Sequence, residues 1–239
     1  MRHPLCADSP APAGVRKIVS CLSTCIFPDA TTYPIDESMI HNGPPHASNE
    51  GYSYAKRMLE VQSRLHRADL GLDAVCVVPT NVYGPHDNFS LAHSHVIPGL
   101  LHKCLLAQAS GAPFVVAGSG APRRQFIYAA DLARLTLGVL RRYSEAAPLI
   151  LAPDEADEVA IADVAAGVAA AMRFEGPLVF DASKADGQLR KTAANGKLRK
   201  LLQAGALGDE LRGFTFTPLR QGLEETAAWL RDNYPAVRT

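Results

Sequence analysis

The stretch Asp73-Ala74-Val75-Cys76-Val77-Val78-Pro79 is a continuous apolar run and indicates a strand buried on both faces. A similar run occupies residues 16–22, and residues 52–68 between the two have helical spacing. Strand, helix and strand in this order, with both strands apolar, are typical of a parallel sheet covered by helices. The sequence therefore predicts an α/β fold.

Shorter elements follow this first unit. The predicted strands cover residues 114–117, 125–128, 149–151 and 178–180, and the predicted helices cover residues 95–109, 129–143, 159–172 and 219–233. The change from a regular strand-helix-strand unit to short mixed elements predicts a second, smaller and more helical part.

Composition excludes several classes of protein. Twenty-four basic residues balance 24 acidic ones, so no overall field attracts nucleic acid or an anionic membrane. No apolar run approaches the roughly 20 residues that span a bilayer. Residues 1–14 contain no apolar segment typical of a secretory signal. The five cysteines are scattered and never in Cys-x-x-Cys spacing, which favours a reducing cytoplasm over a disulfide framework or a metal site.

Tyr52 and Lys56 are four residues apart on the predicted helix and therefore lie on one face. An ammonium beside a phenol favours the phenolate, which suits a tyrosine that transfers protons. Ser23 and Cys25 directly follow the first strand, at the edge where open α/β sheets bind ligands. A hydroxyl there can stabilise a carbonyl oxygen that gains charge, and a thiol can transfer protons. Ser23 equally suits a loop cap, and Cys25 a small buried side chain.

Three histidines, His86, His93 and His95, lie in one polar loop with a single nearby carboxylate, Asp87. This set lacks the ligands of a zinc site, so we expect no metal. His95 starts a predicted helix and is a candidate proton donor or acceptor, or else an exposed residue at the helix end.

Arg123 and Arg124 follow a glycine-rich turn and, together with Lys191, can hold a diphosphate, because guanidinium groups match phosphate oxygens. Adjacent arginines are also common on solvated surfaces. Asp186 precedes a glycine, which indicates a turn first and a ligand contact second.

Five segments of the chain together resemble the GDP-L-fucose synthases, a family of extended short-chain dehydrogenases/reductases. They are Ser23-Thr24-Cys25-Ile26-Phe27-Pro28, Tyr52-Ser53-Tyr54-Ala55-Lys56, Pro79-Thr80-Asn81-Val82-Tyr83-Gly84-Pro85-His86-Asp87-Asn88-Phe89, His95-Val96-Ile97-Pro98 and Arg123-Arg124-Gln125-Phe126. Tyr-x-x-x-Lys marks only the superfamily, whereas the run over residues 79–89 followed by His95-Val96-Ile97-Pro98 is far more specific. The resemblance extends from about residue 15 to the C-terminus.

The resemblance implies an incomplete Rossmann-like parallel sheet with helices on both faces, plus a smaller α+β substrate-binding part. Residues 15–83 and 124–153 would form the C-terminal portion of an NADP-binding domain. Residues 84–123 and 154–239 would form the substrate-binding part, and residues 1–14 an irregular leader. A cytoplasmic homodimer is also implied.

The implied activity has two steps on GDP-4-dehydro-6-deoxy-D-mannose: epimerisation at C3 and C5 of the sugar, then reduction of the C4 ketone with NADPH to give GDP-L-fucose. By resemblance, Cys25 and His95 are the epimerising pair. Tyr52 donates a proton to the C4 oxygen, Ser23 shares that oxygen, and Lys56 supports Tyr52 and touches the nicotinamide ribose. The positions that match cofactor-lining residues are Cys21, Leu22, Ser23, Thr24, Lys56, Pro79, Thr80, Asn81, Val82 and His95. Those that match residues holding the GDP-sugar are Lys103, Arg124, Asp186 and Lys191.

The chain departs from the family pattern in two respects. Ala117 stands where the family usually has tryptophan, which weakens or replaces one substrate contact. No strand is followed by a Gly-x-Gly-x-x-Gly turn and a helix, the usual seat of a pyrophosphate. We therefore expect the first βαβ units, about 90 residues, to be missing. Such a chain is expected to bind NADPH weakly on its own and to leave one edge of the sheet unpaired.

Two alternatives stay open. A related nucleotide-sugar epimerase or dehydratase shares Tyr52 and Lys56 but has no need of the Cys25 and His95 pair. A catalytically silent fragment would act, if at all, by pairing with an intact subunit.

Overall fold

The computed structural model describes residues 15–239, so the predicted leader at 1–14 lies outside the described residues. No helix within this range is both long enough and apolar enough to cross a membrane. The strands are β1 (Lys17–Cys21), β2 (Asp73–Pro79), β3 (Asn81–Tyr83), β4 (Phe114–Ala117), β5 (Arg123–Arg124), β6 (Phe126–Tyr128), β7 (Leu149–Leu151), β8 (Val159–Ala160) and β9 (Leu178–Asp181). The α-helices are α1 (Glu50–Leu70), α2 (Val96–Ser110), α3 (Ala129–Arg142), α4 (Ile161–Met172), α5 (Gly196–Gln203) and α6 (Leu219–Asn233).

A parallel sheet with the strand order β1-β2-β7 forms the first part of the fold. β2 lies in the middle, because Val75 pairs with Val19 of β1 and Val77 pairs with Leu149 of β7. Helix α1 connects β1 to β2, as parallel neighbours require a long connection rather than a tight turn. The predicted α/β fold with a parallel sheet is therefore confirmed.

The residues of β2 that follow Asp73 are all buried. Since successive side chains of a strand point to opposite faces, both faces of β2 are covered. Val77 belongs to one hydrophobic cluster with Leu135 of α3 and Leu198 of α5. The next residue, Val78, belongs to a separate cluster that includes Leu59 of α1. Helices therefore cover the sheet on both sides, as predicted.

Strand β1 differs from its prediction. The sequence predicts a strand buried on both faces, but Ile18 is 38% exposed and none of the five residues of β1 is buried. Among the described residues β1 pairs with β2 only, and so it lies at an edge of the sheet. A strand with one neighbour loses much of the cover that its apolar composition indicates.

The second part of the fold is built on α2, α4 and α6: α4 packs on both α2 and α6, and all three contribute to one hydrophobic core. The parallel pair of β4 and β9 packs against it, with Phe114 opposite Leu178. Aromatic rings meet within this core: Phe89 stacks on Trp229 at a centroid distance of 5.9 Å.

Four elements are not predicted from the sequence: β3, β5, β8 and α5. Val159 and Ala160 form β8, antiparallel to β5, where the sequence predicts the start of a helix. β3 lies in a segment predicted to be a polar loop and pairs with β6, and α5 has no predicted counterpart. The three strands have only two or three residues and depend on their pairing partners rather than on local periodicity, so hydropathy alone does not reveal them. This reason does not apply to α5, which has eight residues.

Replacing Gly222 with alanine is expected to destabilise the fold, although alanine is the better helix former. Gly222 is buried in α6, and a Cβ atom there would lie 2.1 Å from Tyr83 Oη. Because the helix or the buried tyrosine must move, the free energy of unfolding should fall by about 1–3 kcal/mol. Gly196→Ala in α5 is the control, since its added carbon meets no atom within 4 Å. Urea unfolding followed by circular dichroism measures both variants; equal effects would contradict the packing described.

Candidate active site

The carboxyl ends of β1 and β2 bring two predicted site segments to the same edge of the sheet. Leu22, which follows β1, is buried and donates its N–H to Val77 O at 2.8 Å. Pro79 ends β2 and leads into Thr80, whose N–H donates to Leu151 O. Open parallel sheets bind their ligands beyond this edge.

Ser23 caps the short 3-10 helix Thr24–Ile26 that follows β1. Its Oγ accepts a hydrogen bond from Cys25 N at 3.2 Å. Ser23 therefore caps this turn, as its alternative interpretation expects, and its role toward a ligand stays a prediction. The cap fixes the turn that carries Cys25, whose side chain is half-buried.

Tyr52 and Lys56 lie in the first turns of α1, and Tyr52 is 51% exposed. The Lys56 ammonium donates to Cys21 O at 2.8 Å and lies 5.9 Å from the centroid of the Tyr52 ring. This bond ties the helix to the end of β1, and it leaves two of the three ammonium donors available.

Arg57 links the same helix to the turn that holds Cys25. Its Nε donates to Ile26 O at 2.6 Å, and the residue is buried. Burial lowers the pKa of the Arg57 guanidinium, because desolvation disfavours its charged form. Lys56 and Arg57 together hold the Tyr52 helix against the Ser23–Cys25 turn at two points.

The segment after β2 lies beside this edge. Asn81 Nδ2 donates to Gln125 O at 2.8 Å, and Val82 is part of β3. Thr80 is buried, and its Oγ1 has no hydrogen-bond partner among the described residues. A buried hydroxyl without a partner fits a ligand that supplies one, since buried polar groups are normally satisfied.

A polar cavity of about 130 Å³ opens next to Cys25. It is lined by Cys25, Tyr33, His46, Arg124 and Lys191, among others. Inside it, Lys191 Nζ lies 3.2 Å from Cys25 Sγ. Of the predicted site residues, Thr24, Cys25, Arg124 and Lys191 are therefore brought together here.

A second, larger and more apolar cleft of about 320 Å³ adjoins the polar cavity. Five predicted or singled-out residues line it: His95, Lys103, Ala117, Arg124 and Asp186. The apolar part of its wall consists of Leu91, Val96, Leu100, Val116, Pro122 and Ile161. Arg124 and Gly187 line both the cleft and the cavity, so the two spaces meet at the Arg124 guanidinium.

The charges at this junction are held in place by neighbouring groups. Burial lowers the pKa of Arg124, while the negative charges of Cys25, Glu158 and Tyr33 oppose that shift. Asp186 accepts hydrogen bonds from Ser119 N at 2.9 Å and Ser119 Oγ at 2.6 Å, and these bonds lower its pKa. The structure has no turn at Asp186 and Gly187, so the first interpretation of Asp186 is wrong. Its carboxylate instead holds the loop at Ser119, and the ligand contact stays a prediction.

Some predicted residues are not brought together. Tyr52, Lys56 and Ser23 lie at the sheet edge, outside the lining of both spaces, and His95 lines the cleft rather than the cavity that contains Cys25. Sequence reasoning missed His46 in the cavity wall, although a histidine in the loop just before the Tyr52 helix is a usable signal. It also missed Arg57, which no local pattern marks.

The histidine-rich loop does not form a metal centre in the described part of the chain. Among residues 15–239, no three or more His, Cys, Asp or Glu side chains lie together in a way that could hold an ion. His86 packs instead on Trp229, at a ring-centroid distance of 4.6 Å.

Comparison with known proteins identifies the class to which this fold and site belong. Residues 7–151 match the NAD dependent epimerase/dehydratase family. The GDP-L-fucose synthase of Dictyostelium discoideum is 53% identical over 94% of this chain and 67% of its own length. The probable GDP-L-fucose synthase of Drosophila melanogaster is 47% identical over 94% of this chain and 70% of its own length. The chain thus spans about two thirds of the length of these relatives.

A solved structure agrees with these relatives. The crystal structure of a GDP-L-fucose synthetase from Naegleria fowleri bound to NADP has a TM-score of 0.87 and 45% identity. The match covers 95% of this chain and 69% of that one. The chain belongs to the NAD dependent epimerase/dehydratase family and, within it, to the GDP-L-fucose synthases.

Arg57→Met is expected to destabilise the protein, because it leaves the buried Ile26 carbonyl without its donor. The expected loss in free energy of unfolding is about 1–3 kcal/mol. Arg64→Met on the same helix is the matched control: Arg64 is exposed and pairs with Glu60 at 3.4 Å, an interaction worth about 0.5 kcal/mol or less. Chemical denaturation of the two variants compares them, and a loss at Arg64 as large as at Arg57 would refute the anchoring role.

Proposed function

We propose that this chain carries the catalytic machinery of a GDP-L-fucose synthase, which acts on GDP-4-dehydro-6-deoxy-D-mannose. The observation that supports it most is the junction at Arg124. Arg124 lies between an apolar cleft and a polar cavity, and the cavity contains Cys25, a side chain that can transfer protons. A nucleoside diphosphate sugar has the same three-part chemistry: a flat base, a dianionic linker and a polar ring.

The base and the linker have natural positions in this arrangement. The base lies in the apolar cleft, beside Asp186 and Lys103. The diphosphate lies at Arg124, whose guanidinium matches phosphate oxygens, and Lys191 reaches it from the polar cavity. Ala117 leaves room in the cleft wall where the family usually has a larger aromatic side chain.

Epimerisation is assigned to Cys25 and His95. A carbon next to a ketone loses its proton to a base, and the electron pair of the C–H bond passes to the ketone oxygen as an enolate. Return of a proton to the opposite face then inverts the carbon. Cys25 lines the polar cavity and His95 lines the adjoining cleft, so the assignment requires the sugar ring to lie at the junction of the two spaces, within reach of both side chains.

Reduction is assigned to Tyr52, with Ser23 and Lys56 as its supports. These residues lie at the sheet edge outside the cavity, but Thr24, next to Ser23, lines it, so the sugar must extend from the cavity toward this edge. When bound, NADPH supplies the hydride for C4 of the sugar. Tyr52 donates a proton to the C4 oxygen, Ser23 Oγ donates a hydrogen bond to the same oxygen, and Lys56 stabilises the tyrosinate that remains.

Residues at the sheet edge fit the nicotinamide end of NADP(H). The unpartnered Thr80 hydroxyl and the free donors of Lys56 lie at the ends of the two strands. The cofactor-lining set consists of Cys21, Leu22, Ser23, Thr24, Lys56, Pro79, Thr80, Asn81, Val82 and His95. We assign residues 15–83 and 124–153 to the cofactor-binding part, and residues 84–123 and 154–239 to the substrate-binding part.

We place the protein in the cytoplasm, since nucleotide-sugar chemistry suits a reducing compartment, as do Cys21, Cys25, Cys76 and Cys104, which form no disulfide within residues 15–239.

A homodimer through α1 is part of the proposal. This helix buries polar side chains, Arg57 and Glu60 among them, and exposes apolar ones. Tyr54, Met58 and Leu65 recur at spacings of four and seven residues and lie on one outward face. An apolar stripe on an exposed helix is typical of a subunit interface.

Isotope exchange and reduction separate the two proposed steps. With the substrate in deuterium oxide and no NADPH, the chain should exchange the hydrogens at C3 and C5, as read by mass spectrometry. Cys25→Ser should slow this exchange by about 10²–10⁴-fold. Reduction is followed as NADPH absorbance at an NADPH concentration high enough to offset the weak binding expected of this chain. Under these conditions Tyr52→Phe should leave exchange intact and abolish the reduction seen in the unsubstituted chain. Exchange that is unaffected in Cys25→Ser would favour a different nucleotide-sugar epimerase or dehydratase, and no exchange in the unsubstituted chain would indicate the silent fragment.

Met58→Glu should convert the dimer to a monomer, because it places a charge in the middle of the apolar stripe. Light scattering after size-exclusion chromatography measures the mass. Leu137→Glu is the control, since Leu137 is 49% exposed on α3, on the other side of the sheet. The interface would be contradicted if the unsubstituted chain eluted as a monomer. It would also be contradicted if the Met58→Glu variant remained a dimer.

A further inference from the structure

The contact between Lys191 and Cys25 joins two residues that are 166 positions apart. Lys191 Nζ lies 3.2 Å from Cys25 Sγ, within hydrogen-bonding distance for sulfur. The resemblance to the family assigned Lys191 to the substrate and gave no reason to expect this contact. An ammonium carries three donors, so one can serve the sulfur while two remain for phosphate oxygens.

A second cation lies near Cys25. Arg124 lines the same cavity as Cys25 and Lys191. His46 and Tyr33 are the other titratable side chains in the cavity wall. The nearby carboxylate of Glu158 is engaged by Arg123 and Arg190, each at 3.5 Å, so its charge is balanced away from the thiol.

A neighbouring cation increases the thiolate form of a cysteine, and the thiolate is the form that accepts a proton. We propose that Lys191 is a positioning residue that holds Cys25 as a thiolate directed into the polar cavity. The inference rests on the proposed role of Cys25 in epimerisation.

In the step concerned, the thiolate takes a proton from the carbon beside the ketone and becomes a thiol. The C–H electron pair moves to the ketone oxygen, and the ammonium of Lys191 keeps all its protons throughout. Lys191 thus acts through Cys25, and the same cation is free to contact the substrate diphosphate.

Alkylation of Cys25 by iodoacetamide tests the proposal without nucleotide or sugar. Peptide mass spectrometry follows each cysteine separately at about pH 7, and the exposed Cys21 serves as an internal reference. In Lys191→Gln, the rate at Cys25 relative to Cys21 should fall about three- to tenfold. Lys191→Arg keeps the charge and should restore the ratio to within about twofold of the unsubstituted chain. An unchanged ratio in Lys191→Gln overturns the proposal.

Alkylation of the buried Cys76 and Cys104 in Lys191→Gln would show that this variant does not fold. In that case the pH dependence of alkylation in the unsubstituted chain tests the proposal instead. Between about pH 7 and about pH 9, the rate at Cys25 should rise less than the rate at Cys21, because a large thiolate fraction leaves little to gain. An equal or larger rise at Cys25 overturns the proposal.

The alkylation test of Lys191 and the isotope-exchange test of the proposed function can fail independently of each other. A chain whose Cys25 reactivity depends on Lys191 but which exchanges no sugar hydrogen contradicts the proposed function alone. A chain that exchanges both hydrogens with an unchanged alkylation ratio contradicts only the role of Lys191.

Discussion

The pairing of β2 with a parallel neighbour on each side is the constraint on which the site depends. It aligns Val75 with Val19 and Val77 with Leu149, and so fixes where each strand ends. The turn with Ser23 and Cys25 and the segment with Thr80 emerge at one edge for this reason. Hydrogen bonds of the parallel ladder are directional, so a slip by one residue would exchange the two buried faces of β2 and separate these segments.

Charge organises the site beyond the sheet edge. Arg124 reaches the boundary between an apolar and a polar space from a two-residue strand, and the antiparallel pairing of that strand with β8 holds its backbone. Asp186 closes the opposite wall through Ser119, where Gly118 has a φ of 87° and an added Cβ would lie 2.4 Å from the Asp186 carboxylate. The geometry therefore depends on a glycine at this position as much as on the charged residues.

Sequence patterns predict the long, regular elements well. The helix at Leu219–Asn233 and the strand at Phe114–Ala117 have the bounds that the sequence predicts, because each has a clear periodicity or a clear apolar run. The chemistry-bearing residues near strand ends are also visible in the sequence. What the sequence does not reveal is contact across long separations, such as Lys191 with Cys25, or burial that depends on neighbours, as for β1. These follow from tertiary packing, on which local propensity is silent.

Helix α1 is reversed relative to an ordinary amphipathic helix, since polar groups form its inner face. Arg57 bonds to Ile26 O, Glu60 to His41 at 2.9 Å, and Ser63 to Ser20 Oγ at 3.4 Å. An apolar face can rotate or slide by a fraction of a turn at little cost, because its contacts have no direction. Hydrogen bonds tolerate only a small misalignment. The hydrogen bonds of the polar inner face therefore fix the rotation of α1 about its own axis. This rotation sets the direction in which Tyr52 and Lys56 face.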